Sequence, residues 1–170
     1  TVEFSLIGPD ALSVLGKFVT GRNVLSNHTC DSVQVADASI FVVRSDMKDY
    51  PRVNVMCQSN LAVEIRQRLF KAGEDFRLMA VGFQAEDFLR IALGIPLYGF
   101  ELDDKVDPLT AGLLSYVNFE KGCYVGQEVV TRLNTYQKIK KKLMMIQLRD
   151  EVNLGAEIYN NDTLIGEITS

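Results

Sequence analysis

The residues of this sequence whose types and spacing could do chemistry are concentrated in residues 121–128 (KGCYVGQE), called the octapeptide below. Its cysteine, Cys123, stands between two glycines, which permit left-handed backbone angles and the close approach of another molecule. Lys121 precedes the cysteine by two residues, and a helix is expected to begin at Gln127. A neighbouring cation and a helix N-terminus both favour the thiolate form of a cysteine. These local features leave two interpretations of Cys123 open: a reactive thiol, or a buried cysteine in a tight turn.

The other cysteines and the single histidine argue against several kinds of metal, disulfide and catalytic site. Three widely spaced cysteines without a C-x-x-C pair indicate neither a disulfide framework nor structural zinc, and they are too few to hold an iron–sulfur cluster alone. Cys30 and Cys57 lack the glycine and lysine neighbours and are expected to be core or incidental thiols. His28 is the only histidine and is expected in an exposed loop, which argues against a histidine-rich metal site or a Ser-His-Asp triad.

Composition places the 170-residue chain among ordinary globular proteins, with 47% hydrophobic and 24% charged residues. Its net charge of −4 argues against general nucleic-acid binding. No apolar run approaches the ~20 residues that cross a bilayer, and no secretory signal is seen. We expect a cytoplasmic protein, or one of the mitochondrial matrix in a eukaryote, without membrane contact. The lysine run of residues 138–142 is expected to be a solvated connection; its alternative is a phosphate-gripping surface.

The elements that would position the octapeptide follow from hydrophobic periodicity and from turn residues. One helix is predicted over residues 11–18 with Asp10 as its cap, a second from a cap at Ser59 or Asn60 to about residue 71, and a third over residues 127–133. Residues 109–114 are predicted as a short helix or turn. Strands are predicted over residues 2–6, 39–44, 52–57, 88–93, 143–148, 156–159 and 163–168. This mixture of single strands and helices predicts an α+β fold.

The octapeptide matches the signature of the YgfZ-type folate-binding proteins, which are relatives of the glycine-cleavage T-protein, an aminomethyltransferase. Around it, the chain resembles that family in residues 1–25, 89–96 (LRIALGIP), 107–108 (DP), 130–132, Gly155 and 165–170. The resemblance implies a multi-lobed ring of α+β type with tetrahydrofolate bound in its central hole. Residues 1–142 would form the folate-binding region, in two interleaved lobes with residues 51–82 as the inserted one. Residues 143–170 would begin a C-terminal β-barrel.

The resemblance also implies site residues. Cys123 would be the residue on which activity depends, with Lys121 as its electrostatic partner. Tyr98 and Phe100 could line the folate cavity or lie in the core. Arg132, four residues after Glu128, is expected to hold that carboxylate in place. The predicted cofactor-binding residues are Tyr98, Gly122, Tyr124, Gly126, Gln127, Glu128 and Arg132.

The function that the resemblance implies is an accessory role in assembling or maintaining iron–sulfur clusters, and through it tRNA modification. The implied partners are folate and iron–sulfur assembly proteins or cluster-dependent enzymes, with no permanently bound metal, no direct tRNA contact and a monomeric state. The alternative is a folate-dependent aminomethyltransferase or demethylase of the T-protein type. Against it, Ala92 stands where the T-protein branch has a pterin-binding glutamate. Asp37 and Asp46 are possible counterparts of the aspartate that this chemistry needs.

Overall fold

Alternating apolar and polar residues in the first part of the chain form one antiparallel sheet. The strands are β1 (Val2–Ile7), β2 (Thr29–Val35), β3 (Ala38–Arg44) and β4 (Arg52–Cys57), in the spatial order β1-β4-β3-β2. In this computed structural model, which describes residues 1–19, 26–35, 37–48, 50–136 and 139–170, the register places Val55 between Phe4 and Val42. The period of two along each strand sends alternate side chains to one face.

Two helices cover that face and complete the first of two units, residues 1–86. The helices α1 (Ala11–Phe18) and α2 (Ala62–Gly73) contact each other, and α1 packs on β4. Their apolar stripes meet the inward side chains of the sheet, which makes this the main core of the described residues. The most deeply buried side chains of the core are Ile40, Val42, Val53, Val55 and Ile65.

The second unit, residues 87–170, is built from short elements joined by turns. The helix α3 (Phe83–Ala92) crosses the boundary between the units, and α4 (Gln127–Tyr136) follows the octapeptide. A hairpin of β5 (Glu157–Asn160) and β6 (Thr163–Glu167) lies near the end of the chain. Among the described residues of this unit, the buried apolar side chains are Leu109 and Ala111. The unit therefore has a much smaller core than the first.

Most of the predicted elements are confirmed, with small shifts at their ends. The strands at residues 2–6, 39–44 and 52–57, the helix over residues 11–18, the hairpin and the helix after the octapeptide are all present. Two predicted caps are not. Asp10 precedes α1 but its side chain makes no capping hydrogen bond, and residues 59–61 form a 3₁₀ turn before α2, whose N-cap is Leu61.

Two predictions were wrong, and one strand was missed. Residues 88–93, predicted as a strand, belong to α3, which ends in a C-cap with Gly94 at a φ of 64°. There Gly94 N–H donates to Ile91 O (2.9 Å) and Ile95 N–H to Arg90 O (2.8 Å). Residues 143–148 form no strand within the described part of the chain: Leu143 N–H donates to Thr110 O (2.9 Å), but no strand ladder there includes these residues. The strand β2 was missed because Val33 and Val35 are its only buried residues.

Larger architectural expectations stay predictions. The hairpin is a two-stranded sheet in the segment predicted to begin a barrel. The ring of lobes, the barrel, the boundary after residue 142 and the inserted lobe of residues 51–82 are tested by none of these elements. Residue 138 of the lysine run lies outside the described residues. No helix among the described residues is long and apolar enough to cross a membrane.

Candidate functional site

The octapeptide forms a turn that leads into α4. Gln127 N–H donates to Tyr124 O (3.2 Å), and in return Tyr124 N–H donates to the side-chain Oε1 of Gln127 (3.3 Å). Val130 N–H then donates to Gly126 O (3.1 Å), which continues the helix. Gln127 thus satisfies an N–H group before the helix as the last residue of a capping box does. The expected start of a helix at Gln127 is confirmed, and a cofactor-binding role of Gln127 stays a prediction.

The two glycines of the octapeptide have different backbone roles. Gly126 has a φ of 86°, which favours glycine, whereas Gly122 does not have a left-handed φ. The expectation that both glycines bend the chain in this way was therefore wrong for Gly122. A Cβ built on either would meet no atom within 4 Å, so the backbone is open to another molecule at both.

Cys123 is a free, exposed thiol, so the alternative of a buried structural cysteine is excluded. Cys30 is also free and exposed, on β2, whereas Cys57 is buried as expected, and burial raises the pKa of its thiol. The Lys121 ammonium lies 5.0 Å from the centroid of the Tyr124 ring, a cation–π contact. That Lys121 also acts as the electrostatic partner of Cys123 stays a prediction.

Other polar side chains in the octapeptide and in α4 differ in their hydrogen-bond and ion-pair partners. The Tyr124 hydroxyl is buried without a hydrogen-bond partner among the described residues. Glu128 and Arg132 are both exposed, and no ion pair joins them in the described part of α4. The predicted Glu128–Arg132 contact is therefore not formed, and both charges face solvent.

Residues 115–120 form an open depression of about 380 Å³ just before the octapeptide. Within it, Asn118 Oδ1 accepts hydrogen bonds from Glu120 N–H (2.9 Å) and Lys121 N–H (3.1 Å). An asparagine that bonds the backbone two and three residues on stabilises a tight turn. This turn sets the direction in which the chain enters the octapeptide.

Tyr98 lies in a turn after α3 and is 69% exposed, while the neighbouring Phe100 is 46% exposed. Neither is a core residue, so one of the two expectations for them was wrong. The Tyr98 hydroxyl donates to Asp104 Oδ1 (3.4 Å). Among the described residues, no hydrogen bond or ring contact joins Tyr98 to the octapeptide. Their meeting in one cavity stays a prediction.

Sequence reasoning missed a buried ion pair beside Tyr98. Arg90 and Glu101 are 5% and 7% exposed, with Arg90 Nη1 2.8 Å from Glu101 Oε2. Arg90 Nε also contacts Asp87 Oδ1 (2.7 Å), and its guanidinium lies 5.2 Å from the centroid of Phe100. An arginine inside the apolar LRIALGIP segment was the available signal, because a charge in such a segment is buried only with a partner.

Asp107 caps the turn that holds the buried Leu109. Asp107 Oδ1 accepts the N–H groups of Leu109 and Thr110 (both 2.9 Å), and Oδ2 accepts the Thr110 hydroxyl (2.6 Å). Pro108 follows at the first turn position, where the lack of an N–H does no harm. Burial raises the pKa of Asp107, but the hydrogen bonds from Thr110 and Leu109 outweigh it and leave the pKa below its usual value.

The candidate aspartates of the first unit differ in environment. Asp46 accepts hydrogen bonds from Arg44 Nε (3.0 Å) and Nη2 (2.7 Å) and from Arg52 N–H (3.3 Å). The Arg44 guanidinium lowers the pKa of Asp46, so this carboxylate has a structural role. Asp37 is exposed. Ala92 is an exposed residue of α3, in a helix and not in the strand expected there.

Metal ligands are not clustered in the described residues: no group of three or more His, Cys, Asp or Glu side chains could hold an ion there. His28 is exposed, as predicted, at a φ of 60°. The described side chains in and near the octapeptide include an exposed thiol, aromatic rings and exposed charges.

Comparison with known sequences identifies the family to which a chain with this α+β fold and these residues belongs. A model of the GCVT N-terminal domain matches residues 1–121, so the chain belongs to that family. It is 27% identical over 172 residues to an aminomethyltransferase of Thermoanaerobacter sp. (strain X514), covering 99% of this chain and 46% of that protein. It is 32% identical over 167 residues to an aminomethyltransferase of Chlorobium limicola, covering 95% of this chain and 46% of that protein. The chain thus spans about half the length of the curated relatives it matches.

Proposed function

We propose that this protein is a folate-binding accessory factor of the YgfZ type, which supports the assembly or maintenance of iron–sulfur clusters. Cys123 is its reactive thiol. The observation that carries the proposal is the free, exposed cysteine of the KGCYVGQE octapeptide within a chain of the GCVT family. An exposed thiol that can exchange with a cluster ligand, a persulfide or a partner thiol suits a helper protein.

Tetrahydrofolate fits the chemistry of the groups that the second unit exposes. Tyr98 and Phe100 offer flat aromatic faces on which the pterin or the aminobenzoyl ring can stack. The exposed cations of Lys121 and Arg132 suit the carboxylates of the glutamate tail.

An aminomethyltransferase is the second candidate, because the similar proteins are aminomethyltransferases. Two observations rank it lower. Ala92 offers no carboxylate where the T-protein branch has a pterin-binding glutamate, and the Asp46 carboxylate is already held by Arg44. Methylene transfer from an aminomethyl donor to tetrahydrofolate by the purified protein would reverse this ranking.

The experiment that tests the accessory role is complementation of a strain that lacks its own protein of this type. Cys123→Ser should fold normally but fail to restore the activity of enzymes with four-iron, four-sulfur clusters. Cys30→Ser is the matched control, since Cys30 is also free and exposed, and it should complement fully. Complementation by Cys123→Ser to the wild-type level would remove the thiol from the proposed function.

The proposed partners follow from this role. The protein would meet iron–sulfur assembly proteins or cluster-dependent enzymes as a monomer, and act on tRNA modification through those enzymes without touching tRNA. The proposed location is the cytoplasm, or the mitochondrial matrix in a eukaryote. A pull-down with wild-type protein and the Cys123→Ser variant would show whether partner capture depends on the thiol.

A further inference from the structure

The buried ion pair of Arg90 and Glu101 lies outside the octapeptide, and the thiol chemistry does not use it. Burying two charges is costly, and such a pair is weak support for stability, because well-packed apolar residues can often replace it. Here the cost is increased by Arg90 Nη2, which is buried and has no hydrogen-bond partner among the described residues, whereas the Glu101 carboxylate also receives a hydrogen bond from Ser170. The pair therefore calls for a role other than stabilising the core.

The contacts of the pair show what it holds. Glu101 Oε2 accepts the Leu97 N–H (2.9 Å) as well as Arg90 Nη1 (2.8 Å). Arg90 Nη1 also lies 3.4 Å from Ile95 O. Through these bonds the last turn of α3 is tied to both ends of the segment that follows it. The Arg90 guanidinium also lies over the Phe100 ring, 5.2 Å from its centroid.

The segment held in this way is residues 97–102, called the Tyr98 turn. Leu102 N–H donates to Leu97 O (3.2 Å), and Gly99 N–H donates to Leu102 O (2.9 Å), which closes the turn. Tyr98 stands on its outside with 69% of its surface exposed. An exposed aromatic ring fixed by a buried network binds a flat ligand with less loss of entropy than a mobile one.

We propose that Arg90 and Glu101 are positioning residues that hold the Tyr98 turn so that the ring of Tyr98 presents one face to the ring system of folate. This inference rests on the proposed folate-binding function and assigns its aromatic contact to a preorganised turn. The specific contribution of the pair is the order of the turn and not the stability of the unit.

The test replaces the ion pair by apolar residues of similar size. It then measures two quantities separately, the order of the Tyr98 turn and the affinity for tetrahydrofolate. The variant is Arg90→Met/Glu101→Leu, and the matched control is Glu64→Leu/Arg68→Met, which removes an exposed ion pair on α2. Because the chain contains no tryptophan, Tyr98→Trp adds a single indole whose fluorescence anisotropy reports the order of the turn. Tetrahydrofolate affinity is measured by calorimetry with Tyr98 in place.

The expected result is a folded Arg90→Met/Glu101→Leu protein in which the anisotropy of the indole falls and the Kd for tetrahydrofolate rises roughly tenfold or more, about 1.4 kcal/mol or more. The control pair should leave both quantities within about twofold of wild type. If the double variant does not fold, Glu101→Gln replaces it. This variant keeps an oxygen for the Leu97 N–H and removes the charge, and both quantities should change in the same direction, by roughly threefold in Kd.

The outcomes separate this inference from the function on which it rests. Unchanged affinity and anisotropy in the variant, with tight binding by the wild type, would overturn the positioning role and leave folate binding standing. A wild-type protein that does not bind tetrahydrofolate would overturn the proposed function. The anisotropy would then still decide whether the pair orders the turn.

Discussion

At the scale of the residue, Gly122 and Gly126 are alike in the sequence and different in the structure. Gly126→Ala should destabilise the protein by about 1 kcal/mol, because alanine is strained at a φ of 86° although its Cβ meets no neighbour. Gly122→Ala has the same free space without the left-handed φ, and should stay within about 0.5 kcal/mol of wild type. Urea unfolding of both variants measures the difference, and equal losses would contradict the assigned backbone roles.

Asp107 supports a prediction about pH. Its native pKa lies below the ordinary value of 3.8, so the carboxylate contributes stability above that pH and loses it as the pH falls through the native pKa. Asp107→Ala should therefore lower the free energy of unfolding by about 1–2 kcal/mol at pH 7, and by less below about pH 3.8.

The control for Asp107 is Asp10→Ala, since Asp10 precedes α1 without a capping hydrogen bond from its side chain. It should cost less than about 0.5 kcal/mol at both pH values. Urea unfolding at pH 7 and pH 3 makes the comparison. A loss at Asp107 that does not change with pH would mean that the ionised carboxylate is not what holds the turn.

Single residues also show which features of the structure can be predicted from the sequence and which cannot. The start of α4 at Gln127 follows from local rules, because it depends on neighbours within a few positions. The Arg90–Glu101 pair joins residues eleven positions apart through a turn, and the Arg44–Asp46 pair removes an apparent candidate acid. The Arg90–Glu101 contact depends on the path of the chain through the turn, which composition and spacing do not give. The Arg44–Asp46 contact joins residues two positions apart and was within reach of a local argument.

At the scale of the element, α3 shows why a short apolar run is ambiguous. Residues 88–93 are apolar enough for a buried strand, but the helix begins five residues earlier, and its buried side chain is Arg90. Periodicity over six residues cannot separate a strand from part of a helix. By contrast, β1 and β4 alternate over their full lengths, with one face on the core, and were predicted correctly. The strand β3 is a short apolar run that was also predicted correctly.

Helix glycines give an element-scale prediction. In α2, a Cβ at Gly73 would overlap the Leu78 side chain (2.4 Å from its Cβ), so Gly73→Ala should cost about 1–3 kcal/mol. In α1, Gly16 has open space around it, and Gly16→Ala should stabilise the protein by about 0.5–1 kcal/mol. Thermal and urea unfolding test the opposite signs. A stabilising Gly73→Ala would show that the close packing of Leu78 on α2 does not constrain this position.

At the scale of the whole molecule, family membership and the function of the octapeptide rest on different residues. The family model matches residues 1–121, which end before Cys123. Membership is therefore supported by the sheet, its helices and the Tyr98 turn. The YgfZ-type role rests on the octapeptide and its exposed thiol, most of which lies beyond the residues that the family model matches.

The two units also differ in core size, and the proposed catalytic and cofactor-binding residues all lie in the unit with the smaller core.

The most direct test of the central claim is the rate at which a maleimide labels Cys123 with and without tetrahydrofolate, followed by peptide mapping under anaerobic conditions. Cys30 is an internal control because it is also exposed, and Cys57 is a buried one. Saturating tetrahydrofolate should slow the labelling of Cys123 by roughly tenfold or more and leave Cys30 unchanged, because a ligand bound over the octapeptide blocks access to the thiol. Equal labelling of Cys123 with and without bound folate would contradict a shared site for the thiol and the cofactor.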